Sequence, residues 1–551
     1  MNLPRLEPFR PRLWHELQSY SLSRLGRDVG AGVTVGVVAL PLAMAFAIAS
    51  GLTPEAGLWT AIIGGFLIAA LGGSAVQIGG PAGAFIVIVY GIVEQYGVAN
   101  LLICTASAGV LLFFMGWLRL GGLVRYVPLA VVIGFTNGIA VLIALSQLRE
   151  VLGLSIANMP ADFFSMLSVM GHNLHRVNPY ALALGTACVL GLWAWPKWFQ
   201  AASPISQRVA AMPKGKQTLA VTARVPGPVV ALVSLSVLAW ALNLPVETIG
   251  QRFGAVADTL PRFELPDFSW ATVRLLVAPT LTLALLGAVE SLLCARVADQ
   301  VSGLARHNPN QELMAQGIAN LVVPYFGGMP VTGTIARTVT NIRAGATSPV
   351  SGMVHALTLA ALVLVAAPLS QHIPLAVLGG VLLFVAWNMG EWREFAKLRH
   401  FSVPYRVLLL STFSVTVVFD LTVAVQLGLV LACVFFILRQ QDIFRVYMAS
   451  TDASQTIDVK LYGSLFFGTV GKLDTLLALA ERCQPGQEVV LHAQRLITLD
   501  TTGLDALRQL ADGLQRRGAH LSMLGAQPQP ASLLGRSGFA LRLHRLEIEK
   551  A

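Results

Sequence analysis

The chain has 551 residues, 55% of them hydrophobic and only 12% charged, with a formal net charge of +10. A soluble globular protein carries about a quarter charged residues, so this balance excludes an ordinary soluble enzyme or binding module and points to the membrane. The excess of Lys and Arg suits loops on the cytoplasmic side of a multispanning protein and gives no reason to expect nucleic acid as a partner.

Residues 1–28 form a polar, basic lead, expected to be a cytoplasmic N-terminal segment. The apolar stretch after it is too long for a signal h-region and runs on into further spans, so it reads as a first membrane helix. Stretches near the roughly 17–25 residues needed to cross a bilayer recur through 29–440, the expected transport region. The loop from Lys197 to Val225 holds Lys197, Arg208, Lys214, Lys216 and Arg224 and no acid, whereas the segment from Asn243 to Trp270 holds Glu247, Asp258, Glu264 and Asp267 against Arg252 and Arg262. Counting basic loops as inward makes these sides alternate if six spans precede Lys197, with both termini cytoplasmic.

Two Gly/Pro-rich interruptions stand inside this region, at residues 72–83 and 327–334. The run Val127-Pro-Leu-Ala-Val131 recurs as Ile373-Pro-Leu-Ala-Val377, so the interruptions fall in corresponding places of two related halves. Paired breaks of this kind mark inverted-repeat transporters whose discontinuous helices meet near the bilayer midplane. Helices resuming near Ala82 and Thr334 would aim free N–H groups and positive dipole ends at one place, which suits an anion. The candidate substrate residues are therefore Gln77, Pro81, Ala82 and Gly83 from the first break and Thr334, Ile335, Ala336 and Arg337 from the second, with Phe46 as a wall. Arg337 lies in an otherwise apolar, small-residue segment, where an unpaired charge is costly and marks a pathway or a counter-ion. Glu290 is the candidate for ion coupling, taking up a proton or sodium. The alternative reading pairs Glu290 with Arg337 to brace the helices.

After Leu438 no spanning stretch follows, and charged residues return. The tail, residues 450–551, alternates strand Ile457–Gly463, helix Gly471–Cys483, strand Val489–His492, helix Thr502–Arg517, strand His520–Leu524 and a short helix near Ser532, which predicts a small α/β domain. Five dispersed cysteines without CxxC spacing read as packing residues, so neither metal nor disulfide is expected. No nucleophile–base pair, metal cluster or Walker motif supports an enzyme, and no cofactor is required.

At these residues the chain resembles the SulP family of anion permeases throughout its length. The likeness is carried by Leu286-Gly-Ala-Val-Glu-Ser-Leu-Leu-Cys294, Asn310-Gln-Glu-Leu313, Gly317-Ile-Ala-Asn320, Asn341-Ile-Arg-Ala-Gly-Ala-Thr-Ser-Pro349 and the tail. It implies an all-α polytopic membrane protein of about fourteen segments in two inverted repeats, a core domain moving against a gate domain, and a cytoplasmic STAS (sulfate transporter and anti-sigma antagonist) tail. It sets the anion between the two breaks, and implies a homodimer in a bacterial inner membrane with cytoplasmic protein partners possible for the tail. In STAS domains the loop before the second long helix can be phosphorylated. Here that loop holds Thr501 and Thr502, although an Asp/Thr helix cap accounts for the same letters. Some relatives carry a polar residue after the first-helix proline; Leu42 follows Pro41 here, which throws weight on Glu290.

Within the family, the Glu290 and Asn341–Pro349 stretches and Val385-Ala-Trp-Asn-Met389 are similar to enterobacterial aerobic C4-dicarboxylate permeases. That makes a dicarboxylate such as succinate or fumarate the leading expectation, with sulfate close behind, moved by proton-coupled symport. Sodium–bicarbonate members lack an arginine at the Arg337 position, so that subgroup is expected less. The rivals are a proton-coupled nucleobase carrier, a passive anion channel and a membrane sensor with the tail as output.

Overall fold

The computed structural model describes residues 6–549 apart from 19, 123–127, 157–158, 161, 199–226, 255–269, 420–426, 429, 432–433, 436–443 and 450–455. A short helix, α1 (Arg12–Leu17), precedes the first long one, α2 (Leu22–Ala49), whose start is capped by Ser21 accepting from the Arg24 N–H. There follow α3 (Pro54–Leu71), α4 (Gly83–Tyr96), α5 (Val98–Trp117), α6 (Leu129–Val151), α7 (Phe163–Asn173), α8 (Pro179–Trp198) and α9 (Gly227–Ala241). Then come α10 (Val277–Ser302), α11 (Pro309–Val322), α12 (Ile335–Arg343), α13 (Val350–Ser370), α14 (Leu375–Met389) and α15 (Val403–Val418).

Among the described residues α2, α3, α5, α6 and α10 are long and apolar enough to cross a bilayer, and the bent pair around residues 163–195 makes a sixth. The apolar helices α4, α9, α14 and α15 are shorter, at 10–17 residues. The helices fall into two groups. In the first, α2, α3, α5, α10, α11 and α13 pack around the half-helices α4 and α12; in the second, α6, α8, α9, α14 and α15 pack together. Small residues permit these packings. A Cβ on Gly109 of α5 would lie 2.5 Å from the Leu321 nitrogen of α11, and Gly134 and Gly138 admit Thr412 and Thr416 of α15 in the same way. From residue 199 on, the Lys197–Val225 loop, expected to face inward, lies outside the described residues.

Residues Val430–Ala551 form a separate compact unit. Its sheet has the order β3-β4-β5-β6-β7, from Arg445–Ala449, Thr456–Leu465, Glu488–Leu499, His520–Ala526 and Arg545–Ile548. β3 runs antiparallel to β4 and the other pairs are parallel. Helices Asp474–Ala480, Thr501–Arg516 and Pro528–Arg536 make the crossovers that parallel strands need, and Leu476, Leu507, Leu510 and Leu534 bury their faces against Val459, Leu491 and Met523. Strands β3 and β7 were not foreseen, and β3 precedes residue 450, where the tail was expected to begin. Asp500 is the N-cap of the long helix, accepting at 2.7 Å from Gly503 N–H while its other oxygen accepts from Phe467 N–H at 3.0 Å. Thr501 and Thr502 lie exposed on the first turn.

Candidate functional site

Gly/Pro-rich backbone inside a membrane protein must find internal partners for its N–H and C=O groups. The two breaks find them in each other. Gly79–Gly80 (β1) pairs antiparallel with Thr332–Gly333 (β2), with Gly79 opposite Gly333 and Gly80 opposite Thr332. The contact leaves no room for side chains: a Cβ on Gly333 would stand 2.0 Å from Gln77 Nε2.

Around this ladder a shell of buried polar side chains completes the bonding. Asn320 clamps Val331 from both sides, its Oδ1 accepting from the backbone N–H at 2.9 Å and its Nδ2 donating to the carbonyl at 2.8 Å. Thr338 Oγ1 accepts from Ile78 N–H at 2.9 Å, Thr334 donates to the Ile78 carbonyl, and Asn341 Nδ2 donates to the Val76 carbonyl. Thr60 Oγ1 accepts from Met329 N–H at 2.7 Å, in a stretch of α3 wound as a π-turn. Glu312 Oε2 accepts from the N–H groups of Gly73 and Ser74 at 2.9 and 3.0 Å, fixing the entry to the first break. Sequence reasoning missed Asn320, Glu312 and Asn341 as functional, although all three fall in stretches that carried the family likeness.

Helices α4 and α12 begin directly beyond the ladder. α4 opens with a tight 3-10 turn at Gly83–Phe85, and α12 starts at Ile335 with Thr334 as its N-cap residue. Thr334, Pro81, Ala82 and Gly83 are buried, whereas Ile335 is 40% exposed and Ala336 is exposed, so the second helix start opens toward space. Gln77 is buried, donating to Ser291 Oγ at 2.9 Å and leaving its carbonyl oxygen without a partner. A Cβ at Gly83 would meet Phe46 at 3.7 Å, Met389 Sδ at 3.5 Å and Ile143 Cδ1 at 3.8 Å. Met389 and Ile143 come from the second helix group, and each stands fifteen residues beyond the proline that opens its helix, Pro374 to Met389 and Pro128 to Ile143. Equivalent positions of the two repeats thus close on one helix start from the opposite group.

Arg337 is 2% exposed. Its terminal nitrogens Nη1 and Nη2 have no hydrogen-bond partner, its Cζ lies 5.9 Å from the centre of the Phe46 ring, and Nη1 reaches the space beside Gly80. The brace of the alternative reading is not formed: among the described residues Glu290 makes no ion pair or hydrogen bond with Arg337 or any other group. The reason is direction. Gly287, Ser291 and Cys294 form the stripe of α10 that bonds the breaks, through Thr332, Gln77 and Thr338 respectively, and at 100° per residue Glu290 lies about 60° off that stripe. Glu290 is partly exposed. A fully buried His355, with both ring nitrogens unpartnered, is a polar group that sequence reasoning did not single out.

The sulfate permease family matches residues 25–410, and the STAS domain matches residues 447–548. The chain belongs to the sulfate permease family. It is 39% identical to the putative sulfate transporter YvdB of Bacillus subtilis over 95% of each chain. It is 31% identical to the bicarbonate transporter BicA of Picosynechococcus over 76% of this chain and 71% of that protein. The transmembrane domain of a cyanobacterial BicA superposes with a TM-score of 0.62 at 29% identity, covering 75% of this chain and 98% of that one. Murine Slc26a9 in the inward-facing state gives a TM-score of 0.84 over 97% of this chain and 92% of that one; at 16% identity it speaks for the fold alone. Members of the sulfate permease family are anion transporters rather than enzymes, and these relatives carry sulfate and bicarbonate in their names. They lend no support to the likeness to dicarboxylate permeases.

Proposed function

We propose that this chain is a secondary active transporter of a small oxyanion, sulfate first, which binds where α4 and α12 begin and moves as the first helix group shifts against the second in an elevator-like cycle. The observation that carries the reading is the meeting of two helix N-termini across the β1–β2 ladder beside a guanidinium with no partner. Free N–H groups and positive dipole ends favour an anion there, and Arg337 adds a full charge. Phe46, Ile143 and Met389 exclude water from one side of the helix start. The name of the relative 39% identical to the chain moves the preferred substrate from a dicarboxylate to sulfate.

Glu290, unpaired and partly exposed beside the breaks, takes up the coupling proton. The reading sets both termini on the cytoplasmic side of a bacterial inner membrane and includes a homodimer, on the strength of the family likeness and the basic loops. The test is uptake of labelled sulfate, bicarbonate, succinate and fumarate into proteoliposomes, with and without an inward proton gradient, for the native protein and Glu290→Gln. Proton-stimulated sulfate uptake in the native protein, with the stimulation weakened in the variant, supports the reading. Uptake of succinate in place of sulfate restores the dicarboxylate alternative, and no flux of any anion rejects transport in favour of a sensor.

A further inference from the structure

A cavity of about 60 Å3 lies where α2, α4 and α6 approach one another, lined by Ala49, Val87, Tyr90, Gln147, Arg149 and Met159 among others. It stands at the C-terminal end of α2, whose N-terminal end adjoins α1. A helix of 28 residues spans about 42 Å, so the cavity faces the side of the membrane opposite α1. Both of its walls lead back to the paired helix starts. Tyr90 is two turns beyond Gly83 on α4, and Arg149 is under two turns beyond Ile143 on α6. The cavity thus continues the seam between the two helix groups outward from the candidate anion site.

Its polar lining centres on Arg149, a half-buried guanidinium. Arg149 Nε makes no hydrogen bond and is 3.4 Å from Glu150 Oε1. Its terminal nitrogens make no hydrogen bond with any described residue. Glu150 is held more tightly by Arg252, at 2.8 Å, and Arg252 also grips Glu247 at 2.5 Å. Arg149 is therefore the loosest member of this charge chain, and Glu150 stays paired when Arg149 lets go. Tyr90 OH donates to the Met159 carbonyl and holds Met159 at the cavity wall.

We propose that this cavity is a second anion subsite at the far mouth of the pathway, with Arg149 as its cation. The inference rests on the transport reading above. The volume suits a few waters or one small oxyanion, since a water needs about 10–15 Å3 of such space, and a guanidinium fork matches an oxyanion in two parallel bonds. An arriving anion displaces Glu150 from Arg149, while Arg252 keeps Glu150 satisfied. Release toward the helix starts restores the Arg149–Glu150 contact and readies the mouth for the next anion.

The test is sulfate transport by protein of one orientation in proteoliposomes, with sulfate supplied from either side, for the native protein, Arg149→Gln and Arg149→Lys. Arg149→Gln should raise the KM at least fivefold for sulfate supplied from the face opposite α1 and leave the KM from the α1 side unchanged; Arg149→Lys should restore most of the loss. A merely structural arginine would instead lower the maximal rate in both directions. Unchanged KM values, or equal changes on both sides, overturn the proposal. If Arg149→Gln does not assemble, Arg149→Cys treated from the far face with a charged methanethiosulfonate should be modified more slowly in saturating sulfate, and a rate independent of sulfate overturns it. Absence of sulfate flux in the native protein rejects the transport reading and this subsite together.

Discussion

Arg337 and Asn320 are both buried polar residues at the breaks, and their bonding predicts opposite consequences of removal. The Arg337 guanidinium has uncommitted donors, so its loss should cost the fold little and the bound anion much. Hydrogen bonds to charged groups contribute about 1.5–3 kcal/mol, so Arg337→Gln should raise the KM for sulfate roughly 10- to 150-fold while the melting temperature changes little. Arg337→Lys keeps the charge without the planar fork and should fall between. Asn320 commits both ends of its amide to Val331. Asn320→Ala leaves a buried N–H and carbonyl with one partner fewer and should lower stability by about 1–3 kcal/mol, read as a shift of the thermal unfolding midpoint in detergent. Asn388, exposed and bonded only to its own helix at Phe384, is the matched control, and Asn388→Ala should move neither quantity.

At the scale of elements, the segment before α2 acts as a strap. Glu7 pairs with Arg119 at 2.8 Å and accepts from Asn308, Arg10 N–H donates to Gln311, Arg12 N–H donates to the Gly72 carbonyl, and Arg24 binds both Glu16 and the Thr347 carbonyl. These partners lie just after α5, at the N-cap and first turn of α11, at the start of the first break and in the turn before α13, so the strap ties the first helix group together at one rim. Removing residues 6–18 should therefore speed amide exchange at residues 71–74 and slow transport without abolishing it. Burial alone would raise the Glu16 carboxyl pKa, but hydrogen bonds from Arg24 and Arg12 outweigh burial and hold it below its ordinary 4.5. A depressed carboxylate stabilises the folded strap above pH 4.5 and loses that contribution as pH falls through the folded value. Exchange in residues 6–18 should accordingly stay constant from neutral pH down to about 4.5 and accelerate only below it, after correction for the intrinsic rate; Glu16→Gln should show the fast rate at neutral pH. The breaks themselves were legible in the sequence because Gly and Pro interrupt an apolar run visibly. Their pairing was not, since a two-residue ladder between segments some 250 residues apart leaves no periodic trace. The Glu290–Arg337 brace failed for a related reason, because opposite charges in sequence say nothing of which helix face each occupies. Strands β3 and β7 escaped notice as short edge strands with exposed charged residues, Arg445 and Arg545 among them.

For the molecule as a whole, two helix groups were expected from the family likeness and an α/β tail from its alternating strand and helix pattern, and composition alone had settled the membrane. What composition leaves open is the energy balance of moving a doubly charged anion into a negative interior. Each net charge costs about 2.3 kcal/mol per 100 mV, so uncoupled sulfate entry against 100 mV costs about 4.6 kcal/mol, a roughly 2,000-fold handicap in accumulation. Two protons entering with sulfate cancel that charge. On the proposed reading Glu290 supplies one protonation site, and a second proton travels as hydrogen sulfate or on another buried carboxyl, for which Glu312, with one oxygen unpartnered, is a candidate. Sulfate uptake by the native protein should then follow the pH gradient and ignore a potassium-diffusion potential imposed with valinomycin. In Glu290→Gln one proton is lost, so one net negative charge enters per turnover, and an inside-positive potential of 100 mV should raise accumulation about 50-fold. The imposed potential separates the two cases cleanly. Equal indifference to voltage in both proteins would remove Glu290 from the coupling path, and voltage-driven uptake in the native protein would show that fewer than two protons accompany each sulfate.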